Sequence, residues 1–224
     1  MLTLFDKMAL GDKMKVLKNL LSAVLAGVMI SFGGAVFLAA ENKIVGALLF
    51  SLGLTVILLN SFLLFTGKTA YIFENKPSYI LLLCLIWAGN LIGCMGMGAL
   101  VSFAKPAYAD TAAALCEAKL LQTPLQTLVL GALCGILVYL AVDFFRADDD
   151  KKAFNKYLMV FTCVPAFIIC GFEHSVADMF YFAASGMLYS GKGILYVLLV
   201  TAGNLIGAVL FHLLRKFVTT QGKK

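Results

Sequence analysis

GNLIG is written twice in this chain, at Gly89–Gly93 and again at Gly203–Gly207, each time inside a long apolar run. The first copy continues as GNLIGCMGMGAL and the second as GNLIGAVLFHLL. Each occupies the last apolar segment of a set of three. The apolar stretches fall near 19–40, 44–65 and 78–104, then near 125–145, 157–189 and 193–214. A repeat of three crossings must re-enter the membrane in the opposite sense. The spacing therefore predicts two inverted repeats, about 19–104 and 125–216, the architecture that places binding sites near the midplane between the halves.

The bulk numbers agree with a lipid solvent. Of 224 residues, 62% are hydrophobic and only 13% are charged, with a mean hydropathy of +0.95. A soluble domain carries roughly 25% charged residues. Six crossings of about 20 residues each consume most of the chain. The prediction is an all-α membrane protein forming a single transmembrane domain over 1–224, preceded by an amphipathic, lysine-bearing segment at 1–18. Of the 18 Lys and Arg, only Lys43, Lys105, Lys119 and Lys192 fall in the loops of one side. That bias predicts both termini in the cytoplasm, and the inner membrane is the expected location. The net charge of +6 then reflects orientation and gives no reason to expect nucleic acid. The run DDDKK at 148–152 reads as a solvated cytoplasmic loop. Six cysteines form no CxxC pattern and read as small packing residues. No metal and no cofactor is expected.

The second span of each half looks broken. FSLGLTVILLNSFLLFTGKTAYIF (Phe50–Phe73) carries Thr66, Gly67 and Lys68 late in an apolar run. FIICGFEHSVADMFYF (Phe167–Phe182) carries Gly171, Glu173 and His174. Ser175 is the expected cap of the half-helix after the second break, with Asp178 three residues on. Irregular backbone at membrane depth is tolerated only where protein buries it or a cavity runs beside it. Half-helix N-termini also suit anions.

An ionisable side chain inside a span is a functional candidate by default, which singles out His174. His212, beside Arg215 and Lys216, reads as interfacial. Asn90 and Asn204 need a partner at their depth, either a backbone carbonyl or a passing solute. The glycines around them read as close helix packing. Phe50 and Leu54 share one helix face; Phe167, Gly171 and His174 share another. Apolar rings around one polar residue would make dewetted constrictions. Lys119 is a lone cation in the loop after the third span.

With FSLGL, LFTG, LVYLAV and GFEHSVADMF on the page, the chain resembles the formate/nitrite transporter family, which includes hydrosulfide channels and lactate transporters. The likeness runs from AGVMISFGGAVF to the second GNLIG. It implies an aquaporin-like protomer of six transmembrane helices with broken second and fifth helices, assembled as a homopentamer with one pore per protomer. It implies that His174 is the central histidine and that Thr66, Asn204, Asn90, Lys119 and Glu173 line or serve the substrate pathway. Phe50, Leu54, Leu64, Phe65 and Phe167 would form its constrictions. The expected function is passive or proton-coupled transport of a small monovalent anion, of the formate, nitrite or hydrosulfide class, with His174 lending a proton. The alternative is a pore for neutral solutes such as water, glycerol or hydrogen sulfide; the Asn-Pro-Ala boxes of aquaporins are absent. An enzyme using His174 and Glu173 finds no nucleophile constellation. Three positions depart from the family pattern: Leu63 where an acid is frequent, Gly135 where an asparagine is common, and Asp178 in place of an asparagine.

Overall fold

The computed structural model describes residues 4–147 and 153–221; the DDDKK run lies outside them. Eight α-helices carry the fold: α1 (Leu4–Ala39), α2 (Lys43–Leu59), α3 (Tyr79–Ala104), α4 (Pro106–Leu120), α5 (Pro124–Arg146), α6 (Ala153–Ile169), α7 (Ser175–Ala184) and α8 (Gly191–Gln221). No strand occurs among the described residues. Among the described residues, four segments are long and apolar enough to cross a bilayer: Lys13–Ala39, Tyr79–Ala104, Pro124–Arg146 and Gly191–Thr219. The apolar helices α2 and α6 have 17 residues each. At 1.5 Å per residue that is about 26 Å, short of a hydrocarbon core of about 30 Å. Both stop where the sequence places its breaks.

The two halves are built alike. α1 packs along α3 as α5 packs along α8. The GNLIG copies form those seams. A Cβ at Gly93 would sit 2.2 Å from the Val24 carbonyl oxygen, and one at Gly207 would sit 1.9 Å from that of Ala132, so only glycine admits the neighbouring backbone.

The breaks match atom for atom. α2 ends with Ser61 at φ 56° and Phe62 N–H donating to the Ile57 carbonyl at 2.9 Å. α6 ends with Gly171 at φ 67° and Phe172 N–H donating to the Phe167 carbonyl at 2.8 Å. This is the left-handed helix stop with its six-to-one hydrogen bond. The chain then runs extended before helix resumes. After the second break helix resumes as α7. After the first it resumes only as a six-residue 3₁₀ helix, Thr69–Glu74, which ends shortly before Pro77. The loop expected to carry Lys119 is itself a helix, α4, started by Pro106.

Candidate functional site

The asparagine of each GNLIG holds a break in place. Asn90 accepts from Phe65 N–H at 2.9 Å, and its amide donates to the carbonyls of Ala23 (2.8 Å) and Leu63 (2.9 Å). Asn204 accepts from Ser175 N–H at 2.9 Å and donates to the carbonyls of Gly131 and Glu173, both at 2.8 Å. Both residues are 0% exposed. Each amide satisfies two backbone groups that the broken helix leaves without partners, Phe65 N–H with the Leu63 carbonyl and Ser175 N–H with the Glu173 carbonyl, and ties them to a carbonyl inside the neighbouring helix. In this geometry the amide hydrogens of both are spent on carbonyls, and neither residue lines either of the two cavities beside His174. Gly135 belongs to the same seam, since a Cβ there would sit 2.2 Å from the Asn204 carbonyl oxygen.

His174 stands between the two halves. It is 4% exposed and serves as the N-cap of α7, its Nδ1 accepting from Ala177 N–H at 3.1 Å. That role fixes the tautomer: Nδ1 carries a lone pair, so the ring proton is on Nε2. Nε2 lies 2.9 Å from Thr66 Oγ1 and donates to it across the two breaks. The expected cap, Ser175, is displaced from that role, and its hydroxyl has no hydrogen-bond partner among the described residues. The ring stacks on Phe167 at 5.6 Å, and Phe167 meets Phe50 edge-on at 6.3 Å.

Two cavities approach this crossing from opposite sides. One, of about 100 Å³, is lined by Phe50, Phe167, His174, Lys119 and Asp178 among others. The other, of about 80 Å³, is lined by Leu54, Leu64, Lys68 and Arg146 with apolar neighbours. Phe50 and Leu54, one turn apart on α2, therefore face different cavities, and His174 with Thr66 lies between. Phe65 is buried and lines neither; its contribution is the backbone N–H bound by Asn90.

Lys119 is not a lone cation. It sits in the last turn of α4 with only 14% of its side chain exposed, paired with Glu173 and, at 3.0 Å, with Asp178. Glu173 also accepts from the Gln122 amide at 2.8 Å, so it too is buried framework and lines neither cavity. Burial by itself would lower Lys119, but the carboxylates of Asp178 and Glu173 override it and hold the ammonium above the ordinary lysine range. At the opposite end, Tyr71 and Arg215 bind Asp143, while His212 and Lys216 bind Glu74. The hydrogen bond from Lys216, with that from His212, keeps Glu74 below the usual carboxylate range. Those pairings leave Lys68 and Arg146 facing the second cavity with no ion pair among the described residues. Sequence reading took both only as orientation signals. Their placement at one mouth needs the break and the end of α5 to be brought together. Gln122 gave no signal at all.

A family model for formate/nitrite transporters matches residues 5–218. The nitrite transporter NirC of Escherichia coli (strain K12) is 31% identical over 179 residues, which cover 72% of this chain and 66% of NirC. The chain thus spans just under two thirds of that relative's length. Among solved structures, an FNT family ion channel superposes with a TM-score of 0.79 at 26% identity, covering 91% of this chain and 90% of that one. A pentameric formate channel with formate bound shares the fold, with a TM-score of 0.77 at 24% identity over 93% and 99% of the two chains.

Proposed function

Since the chain belongs to the formate/nitrite transporter family, we propose that it passes a small monovalent anion, of the formate, nitrite or hydrosulfide class, across the inner membrane. It would act as one transmembrane unit with both termini cytoplasmic, in a homopentamer. The observation that carries the reading is the pair of cavities on either side of one buried polar contact, His174 to Thr66. A bare charge at the bilayer centre costs several kcal/mol even on lenient scales. A path that is apolar at Phe50/Phe167 and at Leu54/Leu64, with two hydrogen-bonding groups between, answers that cost in part. The anion loses its water at one ring pair, takes hydrogen bonds at the crossing, and regains water past the leucines. Lys68 and Arg146 raise its concentration at the far mouth.

In this reading His174 is first a neutral hydrogen-bond donor. Its single proton sits on Nε2, and giving that one up would leave an imidazolate. It lends a proton only as an imidazolium, whose Nδ1–H would face Ala177 N–H and release the α7 cap, a cost of about 1 kcal/mol. The test compares uptake of labelled formate, nitrite, lactate and acetate into proteoliposomes by the wild type and by Phe50→Ala/Phe167→Ala. The wild type should favour formate and nitrite, and the variant should admit the larger anions. Identical selectivity in the two proteins would contradict the placing of the narrow passage.

A further inference from the structure

The cluster beside the first cavity has one cation for two carboxyl groups. Glu173 is complete: one oxygen takes Lys119 and the other takes Gln122. Asp178 is half complete. Its Oδ1 takes Lys119 at 3.0 Å, while Oδ2 is buried and has no hydrogen-bond partner among the described residues. Asp178 is 1% exposed and lines the cavity together with His174 and Lys119. With both carboxyls ionised the cluster carries a net negative charge in a buried site, directly on the route of an anion. A buried, uncompensated charge of that kind is costly.

Adding one proton removes both problems. The only carboxyl oxygen of the cluster with no donor already bound is Asp178 Oδ2, so the proton belongs there. Once protonated, that oxygen becomes a donor whose one neighbouring protein acceptor is the Glu173 carboxylate, already engaged by Lys119 and Gln122. An anion arriving through the cavity is the acceptor free of other donors. The neighbours leave no rival for the proton. Around α7 stand Lys119 and Cys116 of α4, Glu173 and His174 of the break, Cys94 of α3, Cys134 of α5, Tyr196 of α8 and Tyr181 of α7 itself. Of these, Lys119 is cationic, and His174 Nδ1 is already capped by Ala177 N–H. The thiols and phenols are neutral donors.

We propose that Asp178 is the protonated carboxyl that receives the anion in the first cavity and hands it a proton before the Phe50/Phe167 narrowing. This rests on the transport reading above. In the step the Oδ2–H bond breaks, its electron pair stays on the carboxylate, and an H–O bond (H–S for hydrosulfide) forms on the anion. The neutral acid proceeds. The carboxylate, now beside Lys119, is reprotonated by hydronium from water entering the cavity. The sequence feature behind it is this chain's own: an aspartate where the family pattern has an asparagine, which can donate a hydrogen bond but has no acidic proton to give.

The experiment pairs two readouts on the full-length protein. Formate uptake into proteoliposomes is followed from pH 5 to pH 8 for wild type and Asp178→Asn, and infrared difference spectra record the protonated-carboxyl band with and without formate. The asparagine keeps an oxygen for Lys119, so the fold is retained. Wild-type uptake should fall as pH rises, because the cluster turns negative. Asp178→Asn should lose that slope and run about tenfold lower at pH 6, the low end of what a charge-assisted hydrogen bond supplies. The wild type should show a protonated-carboxyl band that formate perturbs and that Asp178→Asn lacks. An unchanged pH profile, or no such band, would overturn the proposal while leaving the transport reading intact. Absence of formate uptake by the wild type would defeat both.

Discussion

Replacing Asn204 by alanine separates a scaffold asparagine from one in the anion's path. The structure gives its amide three backbone partners: Ser175 N–H at 2.9 Å, and the carbonyls of Gly131 and Glu173 at 2.8 Å each. Alanine orphans two of them, Ser175 N–H and the Glu173 carbonyl, at a site that is 0% exposed, while the Gly131 carbonyl keeps its place inside α5. A buried polar group left unpaired costs about 1–3 kcal/mol. Two such groups sum to about 2–6 kcal/mol before the break relaxes, and about half of that is the reasonable expectation once neighbouring backbone shifts. Thermal unfolding of the purified protein in detergent should therefore drop steeply. Formate uptake should be lost together with folded protein, and the protein that stays folded should show no change in KM alone. Asn90→Ala should behave the same way, because Phe65 N–H and the Ala23 and Leu63 carbonyls form the matching set. An Asn204→Ala protein that melts like the wild type but has a raised KM would refute the reasoning and return this side chain to the pathway.

Three further outcomes follow from the same geometry. His174→Asn keeps an oxygen able to cap α7 and should be more stable than His174→Ala by about 1 kcal/mol, measured as a difference in chemical unfolding; equal stability would mean the Ala177 bond contributes nothing. Ser61→Gly should stabilise by about 1 kcal/mol, because φ 56° at Ser61 is costly for a side chain with a Cβ and free for glycine; a loss of stability would contradict the left-handed stop. Lys68→Gln combined with Arg146→Gln should weaken anion entry from the second cavity and leave entry from the first nearly unchanged, an asymmetry that fades at high salt. Symmetric loss in sided uptake would show that the two cations hold structure and do not recruit anions.

The frame of this protein was readable because its determinants are local and repeated. GNLIG marked two helix seams, and Gly171 with the polar run after it marked a stop that physics allows only beside a cavity or buried protein. The site was harder to read wherever a side chain's fate depends on what faces it. Asn204 was open to two partners in sequence, and its bonds to the Gly131 and Glu173 carbonyls appear only when the helices are brought together. Lys119 looked solitary because Glu173 and Asp178 are more than fifty positions away and reach it only when α4 folds against α7. His174 was visible as a buried ionisable group, but its duty as a cap depends on the φ and ψ of the break. The short 3₁₀ helix after the first break was also illegible, since the repeat argued for a longer half-helix there.

The central claim is anion passage through the two facing cavities, and uptake by reconstituted protein tests it most directly. Proteoliposomes and empty vesicles are given labelled formate or nitrite, and osmotic water permeability is recorded on the same preparations. The account predicts saturable, protein-dependent uptake of both anions with little added water flow. Water or glycerol flow raised by the protein, with anion uptake no faster than in empty vesicles, would contradict it.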